Sequence, residues 1–240
     1  MISASRSSSC GVIFPRYTDG GYHVRMRMRP TDAAARVRVV AAMDALGGAL
    51  LSEGLIGRSA MDDYVPEVSR YGGADNLALA ERLFSASSDQ VAAFLASRPS
   101  EEQRLYQAAA DAVHWCSVLF DSPDEQRAFL RLCQGGLSLT VTKKGNPLGK
   151  FHRAHDRALR EHLAAAPGDE RVAKSLAALS SSVRQELDGH RDGSVFGSAL
   201  HLHCNRLFAF DAVRLEYLAY ELAQRRIHQL HALEGAGGQA

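Results

Sequence analysis

The chain has 240 residues, of which 46% are hydrophobic and 23% are charged, and these fractions are typical of a folded globular protein rather than a disordered one. Its 28 Lys and Arg residues nearly balance its 27 Asp and Glu residues, so the sequence lacks the basic excess that is usual in nucleic-acid-binding proteins. The four cysteines lie far apart in the sequence, which argues against a zinc ribbon or a disulfide framework and favours reduced thiols.

Residues 11–29 have the sequence pattern of an antiparallel β-hairpin. Asp19-Gly20-Gly21 is a strong turn signal, and residues 22–29 alternate between two kinds of side chain with the period of a strand. Val24, Met26 and Met28 are expected on one face. The alternation predicts that four polar side chains share the other face: His23, Arg25, Arg27 and Arg29.

Two further elements are predicted before the helical part of the chain begins. A helix is expected after Pro30, with Thr31 as its N-cap and apolar side chains at helical spacing behind it. Residues 59–68 favour another strand, which Gly72-Gly73 would end. Asp75 is then predicted to open an amphipathic helix.

From there to about residue 190 nearly the whole sequence favours helices, which turn signals separate from one another. The expected breaks are Arg98-Pro99-Ser100, Asp121-Ser122-Pro123, Gly135-Gly136, Gly145-Asn146-Pro147 and Pro167-Gly168. A short strand is predicted at residues 137–142, and the last two helices at residues 194–210 and 211–230.

These elements predict an α+β fold in which a small antiparallel β-sheet is covered by many α-helices. No linker divides the chain, so we expect a single domain over residues 11–232, between a flexible N-terminus (1–10) and a flexible tail (233–240). The first ten residues have no apolar segment of the kind found in signal peptides, and no apolar run reaches the roughly 18 residues of a membrane span. We therefore expect a cytoplasmic protein that does not contact membranes.

The polar face of the predicted hairpin is the first candidate site. Three arginines and a histidine on one strand face repel one another unless an anion or buried carboxylates lie opposite them. They form either a solvated basic surface or a platform for a carboxylate or phosphate, to which planar guanidinium groups can donate two parallel hydrogen bonds. The pattern alone leaves both interpretations open.

The second candidate is the segment 64–73, with the sequence Tyr-Val-Pro-Glu-Val-Ser-Arg-Tyr-Gly-Gly. Glu67 and Arg70 form either a structural ion pair beside a turn or part of a functional site. Two side chains three residues apart in a regular strand lie on opposite faces, so the chain must bulge or turn near Ser69 if both serve one site.

The third candidate is a polar stripe on the penultimate helix. Ser198, His201 and Asn205 are three and four residues apart, so they lie on one side of a helix, either in a satisfied core network or in a site. A second group of histidines at helical spacing includes His152 and His155, but it matches no zinc motif, and no metal site is predicted.

Three sequence blocks occur in a fixed order from about residue 11 to residue 225. The first is Phe14-Pro-Arg16-Tyr17-Thr-Asp19 followed by His23-Val-Arg25-Met-Arg27, and the second is Tyr64 to Gly73 with Glu81-Arg-Leu-Phe84 behind it. The third consists of Ser198, His201, Leu202, Asn205, Arg206 and Leu207. In this order the blocks resemble the thiopeptide-type bacteriocin biosynthesis domain, which is the glutamate-elimination module of class I lanthipeptide dehydratases and also occurs as a separate protein.

The resemblance implies a lyase reaction in the maturation of a ribosomally made precursor peptide. In that family a partner protein esterifies Ser or Thr of the precursor with glutamate taken from glutamyl-tRNA. The elimination module then removes the Cα proton and expels glutamate, which leaves dehydroalanine or dehydrobutyrine.

The same resemblance implies a role for each candidate residue. His201 would be the base, because a neutral imidazole accepts protons near pH 7. Arg27 and Arg70 would stabilise the developing enolate and the departing carboxylate, and Glu67 would fix an arginine or the substrate's amino group. The implied substrate-binding residues are Arg25, Tyr71, Ser198, Asn205 and Arg206. We expect these residues to converge on one cleft between the sheet and the helix that carries His201.

The implied partners are the precursor peptide and a separate glutamylating protein that uses tRNA, and no direct contact of this chain with nucleic acid is expected. A homodimer is left open beside a monomer. Neither a metal nor an organic cofactor is expected, because proton abstraction and carboxylate departure need neither.

Two other functions stay open. The pyridine synthases of thiopeptide pathways form a sister branch that uses the same fold for a formal cyclisation of two dehydroalanines with leader release. His201 together with Glu67 and Arg70 favours elimination over cyclisation. The other alternative is a non-catalytic module that binds the precursor or scaffolds the glutamylating partner, and in that case the arginines and His201 would have no reason to converge.

Overall fold

The computed structural model describes residues 12–17, 21–71, 73–137, 148–165, 168–186 and 193–237. Four short strands come first in this part of the chain: β1 (Val12–Ile13), β2 (Arg16–Tyr17), β3 (His23–Val24) and β4 (Arg27–Met28). Eight helices follow: α1 (Ala33–Ser52), α2 (Ala74–Ala96), α3 (Glu101–Leu119), α4 (Pro123–Leu137), α5 (Leu148–Ala165), α6 (Glu170–Glu186), α7 (Gly193–Leu207) and α8 (Ala212–Gly237). The predicted class, a small antiparallel sheet covered by many helices, is confirmed.

The strands form one antiparallel hairpin that is interrupted midway. β1 pairs with β4 and β2 pairs with β3, and both pairs keep the same register. Pro15 lies in the gap between the two ladders, where its missing N–H removes a ladder hydrogen bond. The carbonyl of Pro15 still accepts a hydrogen bond from the Arg25 N–H at 3.1 Å, so the hairpin stays closed.

Residues 59–67 do not form the predicted strand. They are exposed and have no regular secondary structure, and a 3-10 helix (Val68–Tyr71) follows them. A strand needs a neighbouring strand for its backbone hydrogen bonds, and no described strand pairs with this segment. Pro66, which also lacks an N–H, disfavours such pairing further.

The start of α1 differs by one residue from the prediction. Asp32 is the N-cap instead of Thr31, because its carboxylate accepts a hydrogen bond from the Ala35 N–H at 2.7 Å. Thr31 donates its hydroxyl hydrogen to the same carboxylate at 3.1 Å. The predicted helix itself is confirmed.

The helix breaks were predicted with mixed success. Those at residues 98–100 and 121–123 are confirmed, and Gly168 lies between α5 and α6. The break at Gly135-Gly136 is wrong: both glycines lie inside α4, where each costs only about 1 kcal/mol relative to alanine. The break at residues 145–147 lies outside the described residues, as does all of the strand predicted at residues 137–142 except Leu137, which is the last residue of α4 instead.

The core lies among the helices, and the hairpin is attached to its side. α2 packs against α6 and α7, α3 against α5, α6 and α8, and α4 against α8, while β1 packs on α2. Large side chains with almost no exposed surface fill the centre: Leu83, Leu119, Leu176, Phe196 and Tyr220. Among the described helices, none has the length and apolar character needed to cross a bilayer.

Candidate functional site

His201 lies at the surface of α7 because the opposite side of that helix is apolar. Leu200, Cys204 and Leu207 are fully buried at helical spacing, and this turns Ser198 and His201 away from the centre of the core. The His201 side chain is 46% exposed, so the imidazole is partly open to solvent.

A buried carboxylate of the next helix holds the other edge of this imidazole. Nδ1 of His201 lies 2.8 Å and 3.0 Å from the two carboxylate oxygens of Glu216, whose side chain is only 2% exposed. Tyr220 donates its hydroxyl hydrogen to the same carboxylate at 2.8 Å. Because a carboxylate only accepts hydrogen bonds, Nδ1 carries the proton in the neutral ring, and Nε2 is left with the lone pair.

Two opposite influences set the proton affinity of His201. The hydrogen bond to Glu216, together with the negative charge of that carboxylate, raises the pKa of the imidazole above its ordinary value of 6.5. Burial and the positive charge of Arg70 lower the pKa, but by less than Glu216 raises it. Arg70, which belongs to the second sequence block, is thus among the charges that influence the pKa of this imidazole.

The 3-10 helix brings Glu67 and Arg70 to the same side of the chain. Its three residues per turn align side chains three apart, whereas a strand would separate them. Arg70 Nη1 donates to Glu67 Oε2 at 2.8 Å, and the Arg70 N–H donates to the Glu67 carbonyl at 3.1 Å. The turn near Ser69 that a shared location requires is therefore present. Both side chains remain about half exposed and are accessible to a substrate.

Arg27 and two tyrosines lie beside this ion pair. The guanidinium carbon of Arg27 is 4.8 Å from the centre of the Tyr64 ring, and that of Arg70 is 6.0 Å from the Tyr71 ring. Burial raises the pKa of Tyr71, while the charges of Arg70 and Arg27 lower it and those of Glu67 and Tyr64 raise it further. These five side chains are therefore neighbours. We refer to them as the arginine–tyrosine cluster: Arg27, Tyr64, Glu67, Arg70 and Tyr71.

Asn205 and Ser198 of the polar stripe, and Arg25 of the hairpin's polar face, each have different neighbours. The side-chain oxygen of Asn205 accepts a hydrogen bond from the backbone N–H of Arg16 at 2.7 Å, which ties α7 to β2. Arg25 is exposed, and its Nε lies 3.1 Å from His23 Nε2. Ser198 is half-buried on α7.

Arg206 occupies a position that does not suit the predicted role in substrate binding. Its side chain is completely buried, its Nη1 donates to the Ser87 hydroxyl at 3.2 Å, and its guanidinium carbon lies 5.9 Å from the Phe84 ring. A side chain without exposed surface cannot contact a peptide that binds at the surface. We therefore place Arg206 in the packing between α2 and α7 rather than in the site.

Sequence reasoning missed Glu216, which is the immediate partner of His201. The available signal was an acidic residue within the apolar run of the last helix, four residues before Tyr220. A buried carboxylate needs a partner, and that expectation alone would have directed attention to the preceding helix.

Two histidines of α5, His155 and His162, make contacts between helices. Nδ1 of His155 lies 2.8 Å from the Tyr106 hydroxyl and 3.2 Å from Glu102, and Nε2 of His162 lies 2.9 Å from the side-chain oxygen of Gln107. Within the described residues no three His, Cys, Asp or Glu side chains are grouped as metal ligands would be. Cys116, Cys133 and Cys204 are free thiols, as the sequence predicts.

Comparison with known proteins assigns the chain to a family. No curated protein matches it. A family model described as "Lantibiotic biosynthesis dehydratase C-term" matches residues 10–227, a range that includes the hairpin, the arginine–tyrosine cluster and the His201–Glu216 pair. Because the match extends over most of the chain, this protein belongs to the lantibiotic biosynthesis dehydratase C-terminal domain family, the family of glutamate-elimination domains.

Proposed function

We propose that this protein eliminates glutamate from glutamylated Ser or Thr residues of a precursor peptide and thereby forms dehydroalanine or dehydrobutyrine. The observation that carries the proposal is the His201–Glu216 pair, a partly exposed imidazole with one nitrogen on a buried carboxylate. Family membership makes elimination the expected reaction type.

In the proposed step, His201 removes the proton from Cα of the esterified residue. Nε2 is suited to accept this proton, because Glu216 keeps the hydrogen of the neutral ring on Nδ1. The electron pair of the broken C–H bond forms the Cα–Cβ double bond, the bond from Cβ to the ester oxygen breaks, and glutamate departs as a carboxylate. Glu216 also stabilises the imidazolium that results, as the carboxylate partner of a catalytic histidine does in other enzymes.

The arginines of the arginine–tyrosine cluster supply the positive charge that this step requires. Negative charge develops first on the carbonyl next to Cα and then on the departing glutamate. Arg70 is held by Glu67, and Arg27 lies over the Tyr64 ring, so both guanidinium groups are oriented before a substrate binds. A guanidinium group can bind a carboxylate through two hydrogen bonds, which suits the leaving group.

The direct test is to incubate the protein with a peptide glutamylated on Ser or Thr and to follow its mass. We expect loss of glutamic acid, and we expect His201→Ala to slow that loss by about 10²- to 10⁴-fold, which is the usual contribution of a general base. His155→Ala is the matched control, because it also removes a partly buried, hydrogen-bonded histidine but on α5. A peptide that stays glutamylated with the wild-type protein would refute elimination.

The same experiment distinguishes the two alternative functions. Cyclisation of an already dehydrated peptide with release of its leader would identify a pyridine synthase. Binding of the precursor without any change of mass would identify a scaffold. Either result would remove His201 from the role of a base in elimination.

A further inference from the structure

Tyr64 lies in the candidate site but outside every regular element of secondary structure. It belongs to the exposed segment that precedes the 3-10 helix, and it is 42% exposed. An aromatic ring in such a segment keeps one orientation only if neighbouring groups hold it, because free rotation is favoured by entropy. Two charged neighbours act on its phenol group: Arg27 of β4 and Glu81 of α2.

The face of the Tyr64 ring, rather than a carboxylate, holds Arg27. The guanidinium carbon lies 4.8 Å from the ring centre, within the range of a cation–π interaction. Within the described part of the chain, no ion pair or side-chain hydrogen bond involves Arg27. A ring face attracts the cation without taking up its in-plane N–H groups, so the planar fork keeps these donors for a ligand.

The other arginine of the arginine–tyrosine cluster is held in a different way. Nη1 of Arg70 donates to Glu67 Oε2 at 2.8 Å, so part of its fork is already engaged. A carboxylate that is bound through two parallel hydrogen bonds needs a whole edge of a guanidinium group. Of the two arginines, Arg27 is therefore the one better prepared to receive a carboxylate.

Glu81 connects the tyrosine to the body of the protein. Its side chain is only 13% exposed on α2, and it forms an ion pair with Arg29, which follows β4. Burial, the charge of Glu81 and a hydrogen bond to Glu81 raise the pKa of Tyr64, while the charge of Arg27 lowers it. The phenol therefore stays protonated and donates its hydrogen to the Glu81 carboxylate.

We propose that Tyr64 is a positioning residue, whose ring face holds Arg27 so that the free edge of the guanidinium group receives the carboxylate of the departing glutamate. Glu81 fixes the tyrosine in this position through its hydroxyl group. This role depends on the proposed elimination reaction, because it assigns the leaving group of that reaction to Arg27. The effect of Tyr64 should appear in kcat rather than in KM, since the carboxylate forms only as the ester bond breaks.

The first test is steady-state kinetics with a peptide glutamylated on Ser. Tyr64→Leu removes the ring and should lower kcat by about 10-fold with little change of KM, whereas Tyr64→Phe keeps the ring and should stay within about threefold of the wild-type kcat. Tyr22→Leu is the matched control, because Tyr22 is also exposed but its ring contacts Phe210, with ring centres 5.5 Å apart. Equal rates of the two Tyr64 variants would contradict a role of the ring.

A double-mutant cycle tests the part assigned to Glu81. Glu81→Gln acts through the tyrosine hydroxyl group, so its effect on kcat should equal that of Tyr64→Phe, and the double variant should be no slower than either single variant. Losses of rate that add in the double variant would show that Glu81 does not act through Tyr64.

NMR of the Arg27 side chain separates this proposal from the proposed reaction. The Nε–H signal, identified by its absence in Arg27→Lys, should be shifted upfield by the ring current of Tyr64 in the wild-type and Tyr64→Phe proteins but not in Tyr64→Leu. Free glutamate should move this signal, with a dissociation constant about 10-fold higher in Tyr64→Leu. A signal that fails to respond to the ring or to glutamate would overturn the proposal, even if the wild-type protein eliminates glutamate. Both responses in a protein without elimination activity would retain Tyr64 and Arg27 as a glutamate-binding arrangement and refute only the reaction.

Discussion

The imidazole of His201 combines a buried hydrogen-bond partner with a solvent-accessible edge. Glu216 and Tyr220 are fixed in the core, so the orientation of the ring is set before any substrate arrives. The raised pKa has a consequence for activity, because only the neutral imidazole can act as a base. The elimination rate should therefore increase with pH through the pKa of His201, above the ordinary value of 6.5.

Replacement of Glu216 by glutamine tests this arrangement. Glu216→Gln removes the negative charge that raises the pKa of His201, so the pH at which the rate is half-maximal should decrease. The maximal rate should decrease by about 10- to 100-fold, because the carboxylate no longer fixes the ring hydrogen on Nδ1 or stabilises the imidazolium.

Histidine NMR checks the same change without using activity. The nitrogen chemical shifts of His201 report its pKa and tautomer, and both should change in Glu216→Gln. Glu221→Gln is the matched control, since Glu221 lies on the same helix and accepts a hydrogen bond from Gln134 at 3.0 Å. An unchanged pH profile together with unchanged His201 shifts would show that Glu216 does not position this imidazole.

Arg27 tests whether charge alone suffices in the arginine–tyrosine cluster. Arg27→Lys keeps the positive charge but loses the planar fork that binds a carboxylate through two hydrogen bonds and stacks over Tyr64. The elimination rate should fall by at least roughly 10-fold, which is the effect of losing about 1.4 kcal/mol of transition-state stabilisation. Arg29→Lys is the control, because Arg29 pairs with Glu81 at an exposed position and an ammonium group can replace it. Equal rates for the two variants would exclude a specific role for Arg27.

At the scale of elements, the hairpin and the 3-10 helix illustrate what a local pattern can and cannot predict. The hairpin was predictable, because its turn signal and its alternation are local properties. The strand predicted at residues 59–68 was not found, because strand formation depends on a pairing partner elsewhere in the chain. The need for a turn at Ser69 was deduced only from the requirement that Glu67 and Arg70 meet.

The hydrogen bond between Asn205 and the backbone of Arg16 links the two elements that carry the candidate site. Asn205→Ala should leave the Arg16 N–H without this partner and loosen the hairpin against α7, at a cost of about 1 kcal/mol in unfolding free energy. Hydrogen exchange at Arg16 should accelerate, while exchange in α3 stays unchanged. Ser198→Ala, on the same polar stripe, is the control and should leave exchange at Arg16 as it is. Unaltered exchange in Asn205→Ala would refute the link.

At the scale of the whole molecule, a buried polar network connects three helices of the core. His203 of α7 lies 2.8 Å from the Ser87 hydroxyl of α2 through Nδ1, and 2.8 Å from Asp111 of α3 through Nε2. Asp111 also accepts hydrogen bonds from Gln90 and Gln107. A sequence pattern identifies polar residues on a helix but does not indicate which helix will face them. The burial of His203 and the surface position of His201, two residues apart, could therefore be decided only by the fold.

These two histidines allow the catalytic and structural roles to be separated on one helix. His203→Ala removes a buried partner of Asp111 and should lower the unfolding free energy by about 3 kcal/mol or more, because a buried carboxylate loses a hydrogen bond. The elimination rate per folded molecule should change little, since His203 has no exposed surface for a substrate. His201→Ala also takes a hydrogen bond from a buried carboxylate, that of Glu216, so its melting temperature should fall too, but here the rate per folded molecule should fall by about 10²- to 10⁴-fold. Melting temperature and elimination rate should be measured on the same preparations, so that the rate can be expressed per folded molecule. A destabilised His201→Ala protein with full activity per folded molecule would assign His201 a structural role. The reaction would then lack its proposed base.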